Sequence, residues 1–183
     1  MGIENCSGQL GFTILSYMKN IILVRHAKTE ALTDFDKSDF ERELLPRGQK
    51  DSVLMAEQLK KKGIMPDLFI TSSAKRAEQT AQIYAEQLGY PEDKIMKERF
   101  IYDGFTTAEM LRFLGQFDEQ YNTIIIFGHN PDIAGFTVNL VDEDLYHFPT
   151  SCTTALHFSI KSWKDIEPHQ GGLITYMYPK QFK

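Results

Sequence analysis

Ile21-Ile22-Leu23-Val24-Arg25-His26-Ala27-Lys28-Thr29 is the stretch from which the fold class of this chain can be read. Four apolar residues, three of them β-branched, run without interruption between Asn20 and Arg25. Such a run reads as a strand buried on both faces, the kind that parallel sheets contain. Leu68-Phe69-Ile70, ending at Thr71-Ser72-Ser73, reads as a second strand, and Thr123-Ile124-Ile125-Ile126-Phe127 as the strongest one. Helical segments lie between them. Pro46 stands where a helix prefers its first residue and Gly63 where it ends, with Val53, Ala56 and Leu59 at helical spacing. Ala74 to Leu88 is alanine-rich and closed by Gly89. Thr107 to Phe113 reads as a helix capped by Thr107, and another helix is expected from Asp132 to Val141. Residues 30–45 read as a polar surface loop. Thr154 to Ile160 alternates, with Leu156, Phe158 and Ile160 on one face, and Leu173 to Met177 reads as a final edge strand. Strands alternating with helices imply an α/β fold with a mostly parallel sheet covered on both faces. Ligands of such folds bind beyond the carboxyl ends of the strands.

The 183 residues make one domain, and 42% hydrophobic content is enough for a substantial core. A net charge of −5 argues against a general nucleic-acid binder, which needs a basic surface, while leaving room for a small basic pocket. No apolar run reaches the ~18 residues of a membrane span, and residues 1–17 lack the pattern of a secretory signal. Cys6 and Cys152 are far apart and form neither a metal-ligand spacing nor a disulfide framework, which suits a reducing cytoplasm. Core-like sequence begins at Met18. Residues 1–17 are expected to be a dispensable extension, and 18–183 the working domain.

Three segments with chemical character each follow a strand. They are Arg25-His26, Arg76 in Ser72-Ser73-Ala74-Lys75-Arg76-Ala77-Glu78-Gln79-Thr80, and Gly128-His129-Asn130. The topology directs two arginines and two histidines toward one rim. A divalent metal is a poor guest there, because the arginines repel it and no Asp, Glu or Cys falls at ligand spacing. The guanidinium fork instead matches a phosphoryl group. A neutral histidine can attack phosphorus, provided that its second ring nitrogen is held as a donor, for which a backbone carbonyl would serve. Positioning and charge stabilisation supply most of what phosphoryl transfer needs.

These segments are where a family resemblance becomes specific. Leu23-Val24-Arg25-His26-Ala27-Lys28, then Ser72-Ser73 with Arg76-Ala77-Glu78-Gln79-Thr80-Ala81, then Phe127-Gly128-His129-Asn130-Pro131 resemble the three motifs of the histidine phosphatase superfamily, the phosphoglycerate-mutase-like proteins. Within it the chain looks most like the SixA-type phosphohistidine phosphatases. Ser38-Asp39-Phe40-Glu41-Arg42 and Arg47-Gly48 add to that match. The resemblance runs from about Met18 to about Ile160. It implies a three-layer α/β sandwich, His26 as a nucleophile that becomes phosphorylated, Arg25, Arg76 and His129 as the phosphate pocket, and no metal or other cofactor.

Larger family members carry a Glu that protonates the leaving group. Here the matching region reads Phe100-Ile101-Tyr102-Asp103-Gly104, so Asp103 is the candidate acid, with Glu98 and Glu109 nearby. The span from Arg76 to His129 leaves little room for a lid. Both departures fit a phosphorylated protein as substrate, because phosphohistidine leaves as an easily protonated imidazole, whereas an alcohol needs a positioned acid. The rival readings are a phosphatase of small phosphate esters and a quiet module that only binds phosphate or a phosphorylated partner. Lys28 reads as a solvated surface residue, Arg42 as part of a loop salt bridge, Cys152 as a small packing residue and Trp163 as a packing anchor.

Overall fold

In the computed structural model, residues 17–31 and 38–183 are described. The expectation that residues 1–17 are dispensable falls, Tyr17 excepted, outside them, as does Cys6. The chain runs β1 (Lys19–Arg25), α1 (Pro46–Lys61), β2 (Leu68–Ser72), α2 (Lys75–Leu88), β3 (Met96–Glu98), α3 (Phe100–Asp103), α4 (Thr107–Leu114), β4 (Thr123–Gly128), α5 (Asp132–Leu140), β5 (Thr153–Phe158) and β6 (Gly172–Met177). One six-stranded sheet has the order β3-β2-β4-β1-β5-β6. The first four are mutually parallel, β5 runs antiparallel to β1, and β6 antiparallel to β5. Only β5 is therefore reversed, as a mostly parallel sheet requires.

The apolar runs segregate by parity, because successive strand residues face opposite sides. Ile21, Leu23, Leu68, Ile70, Ile124 and Ile126 pack with Met110 and Leu114 of α4 and with Ile133, Phe136 and Leu140 of α5. Ile22, Val24, Phe69, Ile125 and Phe127 pack with Met55, Ala56 and Leu59 of α1 and with Ala81, Tyr84 and Ala85 of α2. Two cores, one on each face, make the three-layer sandwich. Each fully buried Ile of β4 contributes about 1.5–3 kcal/mol of transfer free energy. Trp163 is fully buried in the first core, and its indole N–H donates to the Tyr121 carbonyl at 2.8 Å. Cys152 is buried beside Arg25, and burial pushes its thiol up to about 12, so it packs as an inert residue.

Pro46 does occupy the first turn of α1, and α2 ends on Gly89 at φ +73°, the left-handed cap. Several expected bounds shift, and β5 ends at Phe158, which leaves Ile160 beyond the strand. The cap of α4 is Thr106 rather than Thr107, because Thr106 and Glu109 form a reciprocal capping box. Helix α5 stops at Leu140, one residue short of Val141, whose backbone is already extended. The elements β3 and α3 had no apolar run to announce them. They are three and four residues long and pair or pack against β2.

The loop after β1 is laid down by α1. The Lys28 carbonyl accepts the N–H of Leu45 at 3.0 Å, and Thr29 bridges Leu44. Gly48, one turn into α1, lies directly on the Lys28 backbone. A Cβ there would overlap the Lys28 carbonyl oxygen and stand 2.9 Å from its nitrogen. The close approach needs a residue without a side chain.

Candidate active site

The parallel strands bring Arg25, Ser72 and His129 to the same rim, as their positions at the carboxyl ends of β1, β2 and β4 require. The backbone there is pinned on both sides: Arg25 N–H donates to the Cys152 carbonyl and His26 N–H to the Gly128 carbonyl, each at 3.0 Å. Ala27 N–H donates to Thr80 Oγ1 at 3.1 Å, and Thr80 Oγ1 donates to the Arg76 carbonyl at 2.7 Å, so α2 is tied to the same turn.

His26 is 8% exposed. Its Nδ1 lies 2.8 Å from the Ala27 carbonyl. A carbonyl can only accept, so Nδ1 carries the proton and Nε2 carries the lone pair. This is the backbone pin expected from the sequence, with its partner now identified. Burial holds the His26 pKa down to about 4; the Ala27 hydrogen bond opposes this, and the charges of Arg76, Arg25 and Arg42 reinforce it. The ring is neutral at pH 7.

His129 stands with its ring centroid 5.1 Å from that of His26, tilted by 50°. Its Nε2 is 2.7 Å from Ser72 Oγ, which also accepts the N–H of Ala74. A hydroxyl has one proton and two lone pairs, so Ser72 either accepts from a protonated Nε2 or donates its own proton to it, and in the second arrangement Nδ1 is the protonated nitrogen. That Nδ1 is buried without a partner. Burial, then the charges of His26, Arg76 and Arg25, outweigh the attraction of Asp39 and hold the His129 pKa down to about 3.

Each arginine is anchored by its terminal nitrogens. Arg25 Nη1 donates to the Phe148 carbonyl at 2.7 Å. Arg76, 6% exposed, donates from Nη1 to the Asp39 carbonyl at 2.5 Å and from Nη2 to Asp39 Oδ2 at 2.9 Å. In both, Nε is buried and has no partner. Three unsatisfied buried polar atoms, Arg25 Nε, Arg76 Nε and His129 Nδ1, thus belong to side chains lining one cleft. Buried polar groups normally find partners, and an acceptor-rich anion would satisfy both Nε–H groups, and His129 Nδ1 in the tautomer that protonates it.

The cleft holds about 640 Å³ and is lined further by Lys28, Glu30, Asp39, Arg42, Asn130 and Thr150, among others. Among the described residues its lining carries four cations (Arg25, Lys28, Arg42, Arg76) and two anions (Glu30, Asp39), with both imidazoles neutral. That excess of cations suits a phosphoryl dianion, inside a chain whose net charge is −5. Among the described residues no group of three or more His, Cys, Asp or Glu is placed to hold a metal ion.

The four expected pocket residues therefore meet, and Asp103 does not join them. Its carboxylate is exposed at the end of α3 and accepts from Arg99 Nε at 2.9 Å. Glu109 is spent in the capping box of α4 and Glu98 lies in β3. The α3 residue that turns to the site is Tyr102, whose ring packs edge-on to His129 at 5.8 Å and whose hydroxyl donates to Asp39 Oδ2 at 3.3 Å. Sequence reasoning also missed Asp39, Ser72 and the Phe148 carbonyl as parts of the site. Asp39 had a signal, lying three residues before Arg42 in a segment already marked by resemblance. Lys28 and Arg42 line the cleft, and Arg42 does make the expected loop salt bridge, to Asp39 Oδ1 at 2.7 Å.

A profile described as the histidine phosphatase superfamily (branch 1) matches residues 21–123, covering the Arg25-His26 and Arg76 segments. The serine/threonine-protein phosphatase Pgam5, mitochondrial, of Drosophila ananassae is 31% identical over 86 residues, which are 47% of this chain and 29% of that protein. The 2,3-bisphosphoglycerate-dependent phosphoglycerate mutase of Bartonella bacilliformis is 29% identical over 80 residues, 43% of this chain and 39% of that protein. The matched region thus spans well under half the length of these relatives. Among solved structures, SixA from Agrobacterium tumefaciens superimposes with a TM-score of 0.72 at 24% identity, over 88% of this chain and 98% of that one. The protein histidine phosphatase SixA complexed with tungstate gives 0.76 at 22% identity, over 90% and 99%. At such identities the likeness establishes the fold, which is the phosphoglycerate-mutase-like sandwich expected from the sequence.

Proposed function

This chain belongs to the histidine phosphatase superfamily, and we propose that it is a metal-independent phosphohydrolase working through His26, with phosphohistidine of a partner protein as its substrate. The observation that carries the catalytic reading is the Ala27 carbonyl on His26 Nδ1, which leaves a lone pair on Nε2 in a cleft whose other lining side chains carry three unsatisfied polar atoms. The phosphoryl group sits among Arg25, Arg76 and His129. Nε2 attacks phosphorus; the P–Nε2 bond forms as the bond to the leaving group breaks. Nδ1 keeps its proton and donates it to the Ala27 carbonyl, whose oxygen stabilises the positive charge that the phosphorylated ring acquires. The side chains donate to the equatorial oxygens as charge redistributes. Water then attacks the phosphoenzyme, the P–Nε2 bond breaks, phosphate leaves, and the proton lost by water passes to solvent.

The substrate reading rests on acidity. Asp103 and Glu109 are engaged elsewhere, the cleft carboxylate Glu30 accepts the Glu43 N–H through Oε1, and Asp39, whose Oδ2 accepts from Arg76, is held ionised. Burial raises its pKa, but the hydrogen bonds and charges of Arg42 and Arg76 more than offset that, and the net shift is downward. An ionised carboxylate cannot protonate an alkoxide. An imidazole leaving group needs no such acid, because its own ring nitrogen takes a proton from water. The solved SixA neighbours support the same reading, since one is described as a protein histidine phosphatase bound to tungstate, a phosphate-like oxyanion. The cleft volume, within the ~300–1,000 Å³ of small-molecule sites, favours the second reading, a phosphatase of small esters.

Brief incubation with a radiolabelled phosphoryl donor tests the mechanism. Wild type is expected to take up an acid-labile, base-stable label that His26→Ala lacks, and turnover is expected to persist in excess chelator and to be inhibited by orthovanadate. A label that survives in His26→Ala, or turnover abolished by chelator, sinks the mechanism. A panel of a phosphohistidine protein against sugar and nucleotide phosphates separates the two substrates, and a clear preference for an ester selects the second.

A further inference from the structure

Asp39 contacts two of the cationic side chains of the cleft. Its carboxylate is split between two guanidinium groups: Oδ1 accepts from Arg42 Nη1 at 2.7 Å, and Oδ2 from Arg76 Nη2 at 2.9 Å. Its main-chain carbonyl takes Arg76 Nη1 at 2.5 Å. Arg42 is held from its other side by the Glu30 carbonyl, which accepts from Nε at 3.0 Å and from Nη2 at 2.8 Å. The end-on edge of Arg76, formed by its two terminal nitrogens, is thus occupied by one residue. The side edge, with Nε, is left without a partner.

The short 3-10 turn that carries Asp39, residues Asp39–Glu41, is clasped to α3. Phe40 packs edge-on to Tyr102 at 4.9 Å, and the Arg99 guanidinium lies over both rings, 4.8 Å from Phe40 and 4.9 Å from Tyr102. Such cation–π contacts fix a loop without further hydrogen bonds. Tyr102 also reaches Asp39 Oδ2 with its hydroxyl at 3.3 Å. The carboxylate is therefore presented from a braced turn rather than from a free loop.

We infer that Asp39 is a positioning residue of the phosphate pocket: by bridging Arg76 and Arg42 it fixes the Arg76 guanidinium end-on, so that Nε and the adjoining N–H of Nη2 face the phosphoryl group. This rests on the phosphatase reading above. Without the bridge, two like charges would separate and Arg76 would sample rotamers that do not present Nε. The chemistry demands a carboxylate rather than an amide, since two guanidinium groups need two acceptor oxygens and an amide offers one. The inference opposes simple electrostatics, and that makes it decidable. Removing a negative charge from an anion site strengthens anion binding by attraction alone, whereas loss of the bridge weakens it.

The test compares wild type, Asp39→Asn, Asp39→Ala and the milder Tyr102→Phe, using orthovanadate as the probe. Asp39 is 38% exposed on its turn, so the fold is expected to survive, with thermal unfolding as the control. Vanadate inhibition is expected to weaken about ten-fold or more in both Asp39 variants, equivalent to about 1.4 kcal/mol, and by less in Tyr102→Phe. The local signature is the Nε–H resonance of each arginine in a 1H–15N spectrum. In the Asp39 variants the Arg76 signal is expected to lose its restricted motion while the Arg25 signal keeps its own, which general damage to the fold would not produce. Unchanged or tighter vanadate binding overturns the inference and makes Asp39 an anion that substrate displaces. An Arg76 Nε–H that stays ordered overturns it too. A wild type that neither binds vanadate nor takes up label removes the phosphatase reading itself, and this inference with it.

Discussion

Acidification from pH 7 to pH 5 is expected to cost this protein stability through His26, the imidazole proposed as its nucleophile. An imidazole in the unfolded chain titrates near 6.5. In the folded protein His26 is held down to about 4, because burial disfavours its charged form and three arginines add to the effect. Between those two values the unfolded chain binds a proton that the folded chain refuses. Stability is therefore complete above pH 6.5 and falls as the pH drops toward 4. At pH 5 the unfolded ring is almost fully protonated and the folded ring only about one-tenth so, a difference of about 2 kcal/mol. His129, held down to about 3, acts in the same direction. The assay is urea unfolding at pH 7 and pH 5 for wild type and His26→Gln, whose side chain stays neutral throughout. Wild type is expected to lose about 2 kcal/mol more than the variant between the two conditions. Equal losses, or a ring proton of His26 that titrates at 6.5, would refute the dry, neutral imidazole and with it the reason that a lone pair is available at neutral pH.

Gly48→Ala drives a methyl group into the Lys28 backbone, which can yield only if α1 or the turn after His26 moves. A loss of about 1–3 kcal/mol is expected in thermal or denaturant unfolding, together with lower turnover, and an unaltered midpoint would show that the approach is looser than described. Asp103→Asn breaks only an exposed pair with Arg99. Turnover of an ester substrate, the kind most dependent on a proton donor, is expected to fall far less than the ~10²-fold typical of a deleted general acid; a loss of that size would return the acid role to Asp103.

The sheet could be read from the sequence wherever burial was complete. The runs Ile21–Val24 and Thr123–Phe127 are unbroken because both faces of β1 and β4 are covered, and that same burial places Arg25-His26 and His129 at strand ends. Strand β3 was invisible because Met96-Lys97-Glu98 is an exposed three-residue edge whose pairing with β2 owes nothing to an apolar pattern. The site divided along similar lines. Arg25, His26, Arg76 and His129 follow strands and so could be placed together by topology. Asp39, Tyr102 and the Phe148 carbonyl reach the cleft through loop geometry and contacts 37 to 123 residues apart, which no local spacing encodes. That Tyr102 rather than its neighbour Asp103 turns to the cleft was hidden for the same reason: the direction in which a single helical turn faces is decided by what it packs against.

The reversal of β5 has a consequence for how such an enzyme could be refitted. A reversed strand begins where its parallel neighbours finish, so the connection leading into it is delivered to the working edge of the sheet. Residues 141–152 thereby become a wall of the cleft, supplying Thr150 and the Phe148 carbonyl that anchors both Arg25 and Asn130. Grafting a different segment between Asp142 and His147, with Leu145, which packs against the first core, and Phe148 onward retained, would alter what can approach His26 while the sheet stays as it is. Diversification of this scaffold toward new partners has an address there, one outside the segment matched by the family profile.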